Sequence, residues 1–185
     1  MKKNIEIKVK SICYGWEDIK FTINGKRYRY NASCCWGGEP LSNLILAVEE
    51  LIWKEKEECT MTWNSEPGEL IITITRDPIE RDLLHIDANE KGEFFDPKVG
   101  PWTQDDKYNF KVSLNELKDA VIDEALRMLR EYGLRGFDSS WASGENTFPL
   151  KSLLILMGSS VTFDEETESY RSNIIDELEL LMKIL

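Results

Sequence analysis

The stretch SCCWGGEPLSNLILAVEELIW, residues 33–53, contains the point at which a strand pattern ends and a helix pattern begins. Its second part predicts a helix over residues 41–53, because apolar residues recur there at spacings of three and four positions. Pro40 suits the first turn, where its missing N–H would have no partner. One side of this helix is continuously apolar, so we expect it to lie across a sheet.

Period-two alternation of apolar and polar residues on both sides of this helix predicts strands, the first over residues 5–10. Residues 19–23 and 28–30 flank Asn24 and Gly25, the dipeptide that best tolerates a type I′ turn, and they predict a β-hairpin. Further strands are predicted at residues 59–63, 70–75, 83–87 and 109–112. Since consecutive strands are joined by short turns, the sheet should be a predominantly antiparallel meander.

Residues 88–107 have few periodic apolar positions and contain Gly92, Pro97, Gly100 and Pro101. This composition predicts a long loop. Because loops of this length are uncommon in compact domains and are often functional, it is a candidate binding segment.

A second main helix is predicted over residues 114–132, where Ser113 and Glu116 form a capping box. Its apolar face covers about half of the circumference, so it should contact two elements. Gly133 fits the left-handed position after the last turn, and Leu134 should pack back onto that turn. Residues 136–147 then read as a loop.

The C-terminal part of the chain predicts two further helices. Residues 153–157 favour a short buried helix ending at Gly158, with a strand as the alternative. Thr162 and Glu165 form a capping box that predicts a C-terminal amphipathic helix within residues 160–185. Its seam allows a homodimer and consists of Ile174, Leu178, Leu181 and Leu185.

These elements together predict a single α+β domain over residues 1–185. An antiparallel β-sheet of hairpins carries the two main helices on it, and a C-terminal helix follows. With 42% hydrophobic residues, a chain of 185 residues can bury a sizeable core.

The formal net charge of -11 excludes nucleic acid as a favoured partner, because phosphates are repelled and no run of Lys and Arg overcomes this locally. A basic protein is favoured instead, with simple solubility as the alternative explanation of the charge. The N-terminus does not read as a signal peptide, and no apolar run approaches the ~18 residues of a membrane span. We therefore expect a cytoplasmic protein with no membrane partner.

No stretch carries a catalytic signature, so the sequence favours a protein without enzymatic activity. His85, the only histidine, lies in a strand pattern with no nucleophile motif near it, which favours a structural role. The four cysteines (Cys13, Cys34, Cys35 and Cys59) lack the short paired spacing of zinc ligands and should be reduced thiols. Residues 87–98 begin like a calcium loop, but the required twelfth-position Glu is Lys98. No cofactor or metal is therefore expected.

Several tryptophans fall in predicted loops, where they either anchor a ligand or plug the ends of a sheet. These are Trp16, Trp36, Trp102 and Trp141. Turn carboxylates are the other candidate ligand-contacting groups. One hypothesis is therefore a small-molecule or enzymatic pocket built from Trp36, Glu39, Glu66 and Trp141.

Three segments carry a resemblance to a known class of proteins: residues 36–44 (WGGEPLSNL), residues 63–69 (WNSEPGE) and residues 148–150 (FPL). They resemble uncharacterised bacterial cytoplasmic proteins, some of which are similar to immunity proteins of polymorphic toxin systems. The resemblance implies a strand, a helix entered through Pro-Leu and a strand pair turning at Glu-Pro-Gly. It transfers no catalytic residue.

The preferred hypothesis is a non-enzymatic protein-binding domain, of the immunity type, that neutralises a basic toxin through an acidic surface. The predicted contact residues lie in or beside the long loop: Trp102, Asp105, Asp106, Glu90 and Glu93. The alternative is the small-molecule or enzymatic pocket. The two differ in shape, since a binder needs a broad face and an enzyme needs a concave pocket with convergent polar groups.

Overall fold

The structure is a computed structural model that describes residues 4–13, 15–33, 39–66, 68–96, 100–139, 148–164 and 169–182. Within these ranges, seven strands form one antiparallel sheet in which every strand pairs with its neighbours in chain order. The strands are β1 (Ile5–Cys13), β2 (Trp16–Ile23), β3 (Lys26–Ser33), β4 (Glu58–Asn64), β5 (Glu69–Arg76), β6 (Leu83–Asp96) and β7 (Gly100–Ser113). The predicted α+β fold with an antiparallel meander is confirmed.

The first hairpin has the predicted two-residue turn. Ile23 lies opposite Lys26 in the ladder, and Asn24 and Gly25 have φ angles of 51° and 81°. Both angles are positive, as a type I′ turn requires. The second predicted hairpin is also present as β4 and β5. Trp16, predicted in a loop, instead begins β2 opposite Ser33.

The sheet is sharply folded between β3 and β4, which pair only at Ser33 and Asn64. After this single pair the two strands diverge, and the ring of Tyr28 on β3 reaches β7 instead. It lies 5.3 Å from the ring centroids of both Tyr108 and Phe110. The inner face of β1–β3 is therefore folded over towards the inner face of β4–β7.

Helix α1 (Pro40–Trp53) connects β3 to β4 and fills the core as predicted. Its buried positions include Leu41, Leu44, Ile45, Val48 and Leu51, which form the predicted apolar stripe. The side chain of Glu39 caps the helix, since its two carboxyl oxygens accept hydrogen bonds from the N–H groups of Leu41 (2.8 Å) and Ser42 (2.6 Å).

Helix α2 (Leu114–Ser139) packs against β1, β7 and α1, which confirms that its wide apolar face serves more than one contact. Gly133 has the predicted positive φ, 67°, but the helix resumes after it. The loop predicted from residue 136 is therefore wrong for residues 136–139; residues 140–147 lie outside the described part of the chain. Phe137 explains the extension, because it is fully buried and meets Phe148 edge-on at 5.1 Å. Leu134 is exposed and does not pack back as predicted.

The predicted loop over residues 88–107 is wrong. The described residues of this range, 88–96 and 100–107, continue β6 and β7 in a ladder whose register runs from Leu83 opposite Ser113 to Asp96 opposite Gly100, and residues 97–99 lie outside the described part of the chain. Strand β5 pairs with β6 only as far as Lys91, so beyond that point β6 has β7 alone as a neighbour. An antiparallel ladder needs only backbone groups, and without a core to face, no apolar alternation is required in the sequence.

The C-terminal part contains α3 (Leu150–Leu156), a small hairpin of β8 (Val161–Asp164) and β9 (Ser169–Ser172), and α4 (Ile174–Met182). The short buried helix before Gly158 is confirmed. The capping box at Thr162 and Glu165 is wrong, because Thr162 lies in β8 and Glu165 lies outside the described residues. Asn173 starts α4 instead, its side-chain oxygen accepting the N–H of Ile175 at 2.9 Å. Of residues 160–164 and 169–182, which the structure describes, only residues 174–182 are therefore helical.

Candidate functional site

A cleft of about 340 Å³ lies between the two folded halves of the sheet. Its apolar walls are inward-facing residues of β1, β2, β3, β5, β6 and β7, and α1 and α2 contribute one leucine each. The apolar lining consists of Ile5, Phe21, Ile23, Tyr28, Tyr30, Leu44, Leu70, Ile72, Ile74, Ile86, Ala88, Tyr108, Phe110 and Leu117.

The cleft exists because β3 leaves β4 after one residue pair. If the ladder continued, the two halves would form one flat sheet with no enclosed space. Aromatic contacts hold the halves at a fixed separation: Phe21 stacks on Trp63 at 5.6 Å, and the hydroxyl of Tyr30 donates to the backbone oxygen of Trp63 at 3.0 Å. Ala88 leaves additional room, since it is the smallest side chain in the lining.

Three charged residues also line the cleft: Arg27 and Arg29 on β3, which alternate with the inward-facing Tyr28 and Tyr30 and so lie at its exposed edge, and Glu90 on β6. Arg29 is engaged by Asp18, which accepts two hydrogen bonds of 2.8 Å from its guanidinium. Arg27 has no ion pair within the described residues and is exposed to solvent. Arg27 is therefore the cation available to a bound molecule.

The surroundings of Arg27 are positively charged, although the chain as a whole is acidic. On the exposed side of the sheet, Lys8 lies opposite Lys20, and Lys20 lies opposite Arg29. Like charges directly opposite one another on neighbouring strands repel. A groove of about 860 Å³ shares Ile5, Phe21 and Arg27 with the cleft, and its charged lining residues are the cations Lys8, Lys10, Lys20, Arg27 and Arg127 and the anions Glu6, Asp123 and Glu124. An anion near Arg27 would reduce this repulsion.

Tyr30 is a neutral hydrogen-bond donor in the wall of the cleft. Burial raises the pKa of Tyr30 to about 12, and the negative charge of Glu90 acts in the same direction, while a hydrogen bond with Ser65 partly offsets both. Its hydroxyl therefore keeps its proton throughout the physiological range. No histidine, cysteine, serine or threonine is among the described residues that line the cleft. This arrangement is suited to binding a molecule.

His85 lies on the other side of β6, where its Nε2 is 2.8 Å from Oδ2 of Asp77. Asp77 also accepts the N–H groups of Ile79 and Glu80, each at 2.9 Å. The pKa of Asp77 is lowered well below its usual value, first by the Glu80 N–H and then by His85 and the Ile79 N–H. These contacts hold the turn between β5 and β6, and they give His85 a structural role there.

Three buried carboxyl groups lie near one another where β2, α1 and α2 meet: Glu17, Glu39 and Glu124. Glu124 accepts hydrogen bonds from the backbone N–H of Val9 (2.6 Å) and from Arg127 (2.7 Å and 2.9 Å). Both carboxyl oxygens of Glu17 lack a hydrogen bond of standard geometry. Burial, followed by the negative charge of Glu39 and then that of Glu124, raises the pKa of Glu17 well above its usual value.

Of the predicted pocket residues, the two that the structure describes, Glu39 and Glu66, do not line the cleft. Glu39 is buried as the cap of α1, and Glu66 is exposed, with its Oε1 accepting the hydroxyl of Ser33 at 2.8 Å. Trp36 and Trp141 lie outside the described residues.

The predicted partner-binding residues lie in the β6–β7 hairpin instead of a loop. Trp102 is opposite Phe94, Glu93 opposite Thr103, Asp105 opposite Lys91 and Asp106 opposite Glu90. The side chains of Trp102, Asp105, Asp106 and Glu93 lie outside the described part of the structure, whereas Glu90 lines the cleft. The hairpin brings these positions together along one ladder.

Among the described residues, no group of three His, Cys, Asp or Glu side chains is arranged to hold a metal ion. Cys59 is a buried free thiol, and burial raises its pKa, with the charge of Glu50 adding to the effect. The side chains of Cys13, Cys34 and Cys35 fall outside the described part.

Sequence reasoning missed the cleft residues Arg27, Tyr28, Tyr108 and Phe110. Tyr28 alternates in phase with Tyr30 and Ala32, which marks it as an inward position of β3. The contact of Tyr28 with Phe110 joins residues that are far apart in the chain, so the alternation pattern alone does not predict it.

In the described residues, the helices are too short or too polar to cross a membrane. Comparisons with protein-family models, with curated proteins and with solved structures found no match to this chain.

Proposed function

We propose that this protein binds a small, mainly apolar molecule with an anionic end in the cleft between the two halves of its sheet. The observation that carries the proposal is an apolar cleft of about 340 Å³ with one unpaired cation, Arg27, at its lining. Binding sites for small molecules commonly have volumes of about 300–1,000 Å³, apolar walls and few polar groups.

The chemistry of the lining selects the class of ligand. Aliphatic and aromatic walls favour a hydrocarbon or aromatic body, at about 25 cal/mol for each Å² of apolar surface removed from water. Arg27 then favours a carboxylate or a similar anion at the end of that body, because a guanidinium donates paired hydrogen bonds to such groups. Glu90 disfavours a second negative charge further inside.

The proposal is tested with a fluorescent probe, dansyl-labelled undecanoic acid, followed by displacement with decanoate and with decanol. We expect saturable binding of the probe and stronger displacement by decanoate. Arg27→Gln should weaken decanoate binding about fivefold, since an exposed charge pair contributes up to about 1 kcal/mol, and should leave decanol unchanged. Lys111→Gln, which removes an exposed cation from β7, is the matched control.

Filling the cleft gives a second test. Ala88→Phe places a ring among the lining residues and should abolish binding of both compounds, whereas Asn89→Phe on the opposite side of β6 should not. Thermal melts establish that the variants fold. If Ala88→Phe prevents folding, the smaller change Ala88→Val takes its place and should cause a partial loss of binding affinity. Absence of saturable probe binding, or equal losses in the two phenylalanine variants, would refute the proposed site.

A further inference from the structure

Helix α4 exposes an apolar stripe that nothing in the described part of the chain covers. Ile174, Ile175, Leu178 and Met182 have exposed fractions of 61%, 57%, 49% and 64%. Their spacing of three or four positions places Ile174, Leu178 and Met182 on one side of the helix, with Ile175 beside them. Contiguous exposed apolar surface of this kind marks an interaction site more often than scattered apolar residues do.

One residue on the same side of the helix as the stripe fixes the position of α4. Leu181 packs against the core, and Asn173 caps the helix through the N–H of Ile175. The preceding residue, Ser172, donates a hydrogen bond to Glu177. The helix is therefore formed and oriented without a partner on the stripe, so docking would require little ordering of the backbone.

The charges beside the stripe indicate what covers it. Asp176, Glu177 and Glu179 are the only charged residues of α4, and all three are acidic. Glu177 and Glu179 flank the stripe, so a second copy of this helix would bring like charges together at both borders, and Asp176 lies on the far side of the helix. A membrane surface is also disfavoured, because interfacial helices carry Lys and Arg on their polar face. A complementary partner surface is apolar in its centre and bordered by cations.

We propose that α4 binds a basic protein by inserting its apolar stripe into a groove bordered by Lys and Arg. The partner is still a basic protein, as the net charge predicts. The proposed binding surface is α4, whereas the sequence placed it in the segment that forms the β6–β7 hairpin. The binding mode is that of an amphipathic helix in an apolar groove, with Ile174, Leu178 and Met182 as anchors. It is independent of the cleft, since none of these residues lines it.

The experiment uses the full chain and two synthetic helical peptides with the same leucine face. In one peptide all the remaining heptad positions are lysine, and in the other they are glutamate. Fluorescence anisotropy measures binding of each labelled peptide. The lysine peptide should bind with an affinity that falls as salt rises, and the glutamate peptide should not bind.

Two pairs of variants locate the binding surface. Ile175→Ser with Leu178→Ser keeps the net charge and should weaken binding of the lysine peptide about tenfold or more. Ile79→Ser, at a residue 88% exposed elsewhere, should change it less than about twofold. Asp176→Lys with Glu179→Lys should weaken binding more than Glu80→Lys with Asp119→Lys, which makes the same charge change away from α4.

Equal binding of the two peptides, or equal effects of the stripe variants and Ile79→Ser, would overturn the proposal. Sedimentation equilibrium adds a third decisive outcome: a dimer that the serine variants dissociate would identify a second copy as the occupant and contradict a basic partner. The substituted residues are exposed, so circular dichroism should show unchanged melting; if the double variant unfolds, Met182→Gln takes its place in the comparison.

Discussion

Replacing Glu17 by Gln should stabilise the protein at neutral pH, and the gain should grow with pH. Glu17 is fully buried, and neither of its carboxyl oxygens has a hydrogen bond of standard geometry, although the carboxyl group of Glu39 and the N–H of Leu41 lie close to it. Burial and the neighbouring charges of Glu39 and Glu124 raise its pKa in the folded state well above the ordinary value of 4.5. The folded protein therefore holds a proton on Glu17 at a pH where the unfolded chain has released it.

The sign of the pH dependence follows from this difference in bound protons. Below a pH of about 4.5 both states are protonated, and the stability associated with Glu17 is fully present. Between that value and the raised pKa the folded state binds one proton more, so its free energy of unfolding falls by about 1.4 kcal/mol for each pH unit. Above the raised pKa, Glu17 ionises in the folded state and no further loss occurs. Glutamine has nearly the same shape and no proton to lose, so it removes this slope.

The measurement is urea denaturation of the native protein and of the Glu17→Gln variant between about pH 5 and pH 8, with the free energies of unfolding compared at each pH. The difference should increase with pH by about 1.4 kcal/mol per unit until the folded-state pKa is reached. Glu6→Gln, at an exposed position of β1, is the control and should give a difference that does not grow. A constant difference for Glu17→Gln would refute the reasoning, because it would mean that Glu17 titrates alike in both states.

Two other stability predictions concern helix α1 and the glycines. Leu44→Asp should lower the free energy of unfolding by about 4 kcal/mol or more, because it buries a charge in the apolar stripe, whereas Glu49→Lys on the half-exposed side should change it by less than about 0.5 kcal/mol. Equal urea midpoints would contradict the assignment of the buried face. Gly25→Ala should destabilise the protein by about 1 kcal/mol, because the φ angle of Gly25 is 81°, which an alanine rarely adopts. Gly136→Ala should stabilise it by about 0.5–1 kcal/mol, because the added Cβ would lie 3.7 Å from Cβ of Tyr132, which is ordinary van der Waals contact. Thermal melts check this pair, and shifts in the same direction would be inconsistent with it.

Local signals in the sequence were sufficient where a short segment decides its own conformation. The Asn24-Gly25 turn depends on two residues that tolerate positive φ, and α1 depends on Pro40 at its first position and a stripe of apolar residues. Local signals failed where another segment supplies the reason. Residues 88–96 and 100–107 form strands because β6 and β7 pair with each other, and the segment at Thr162 forms β8 because it pairs with β9.

The candidate site was less predictable than the fold. Glu17 shares its alternation with Ile19 and Ile23, so the pattern alone would have placed it on the buried face of β2. Its lack of a hydrogen bond of standard geometry and its proximity to Glu39 and Glu124 depend on how β2, α1 and α2 meet.

By itself, the sequence determined the antiparallel meander, the two main helices and the acidic character of the chain, because periodicity, turn chemistry and charge are properties of single segments or of the composition. The tertiary structure alone decided that β3 leaves β4 after Ser33, that Tyr28 meets Phe110 and that Arg27 lines the resulting cleft. It also decided that α4 packs by Leu181 and leaves its apolar stripe exposed. The physical reason is that a cleft or an exposed face depends on the distance between segments far apart in the chain, and that distance is determined by their packing.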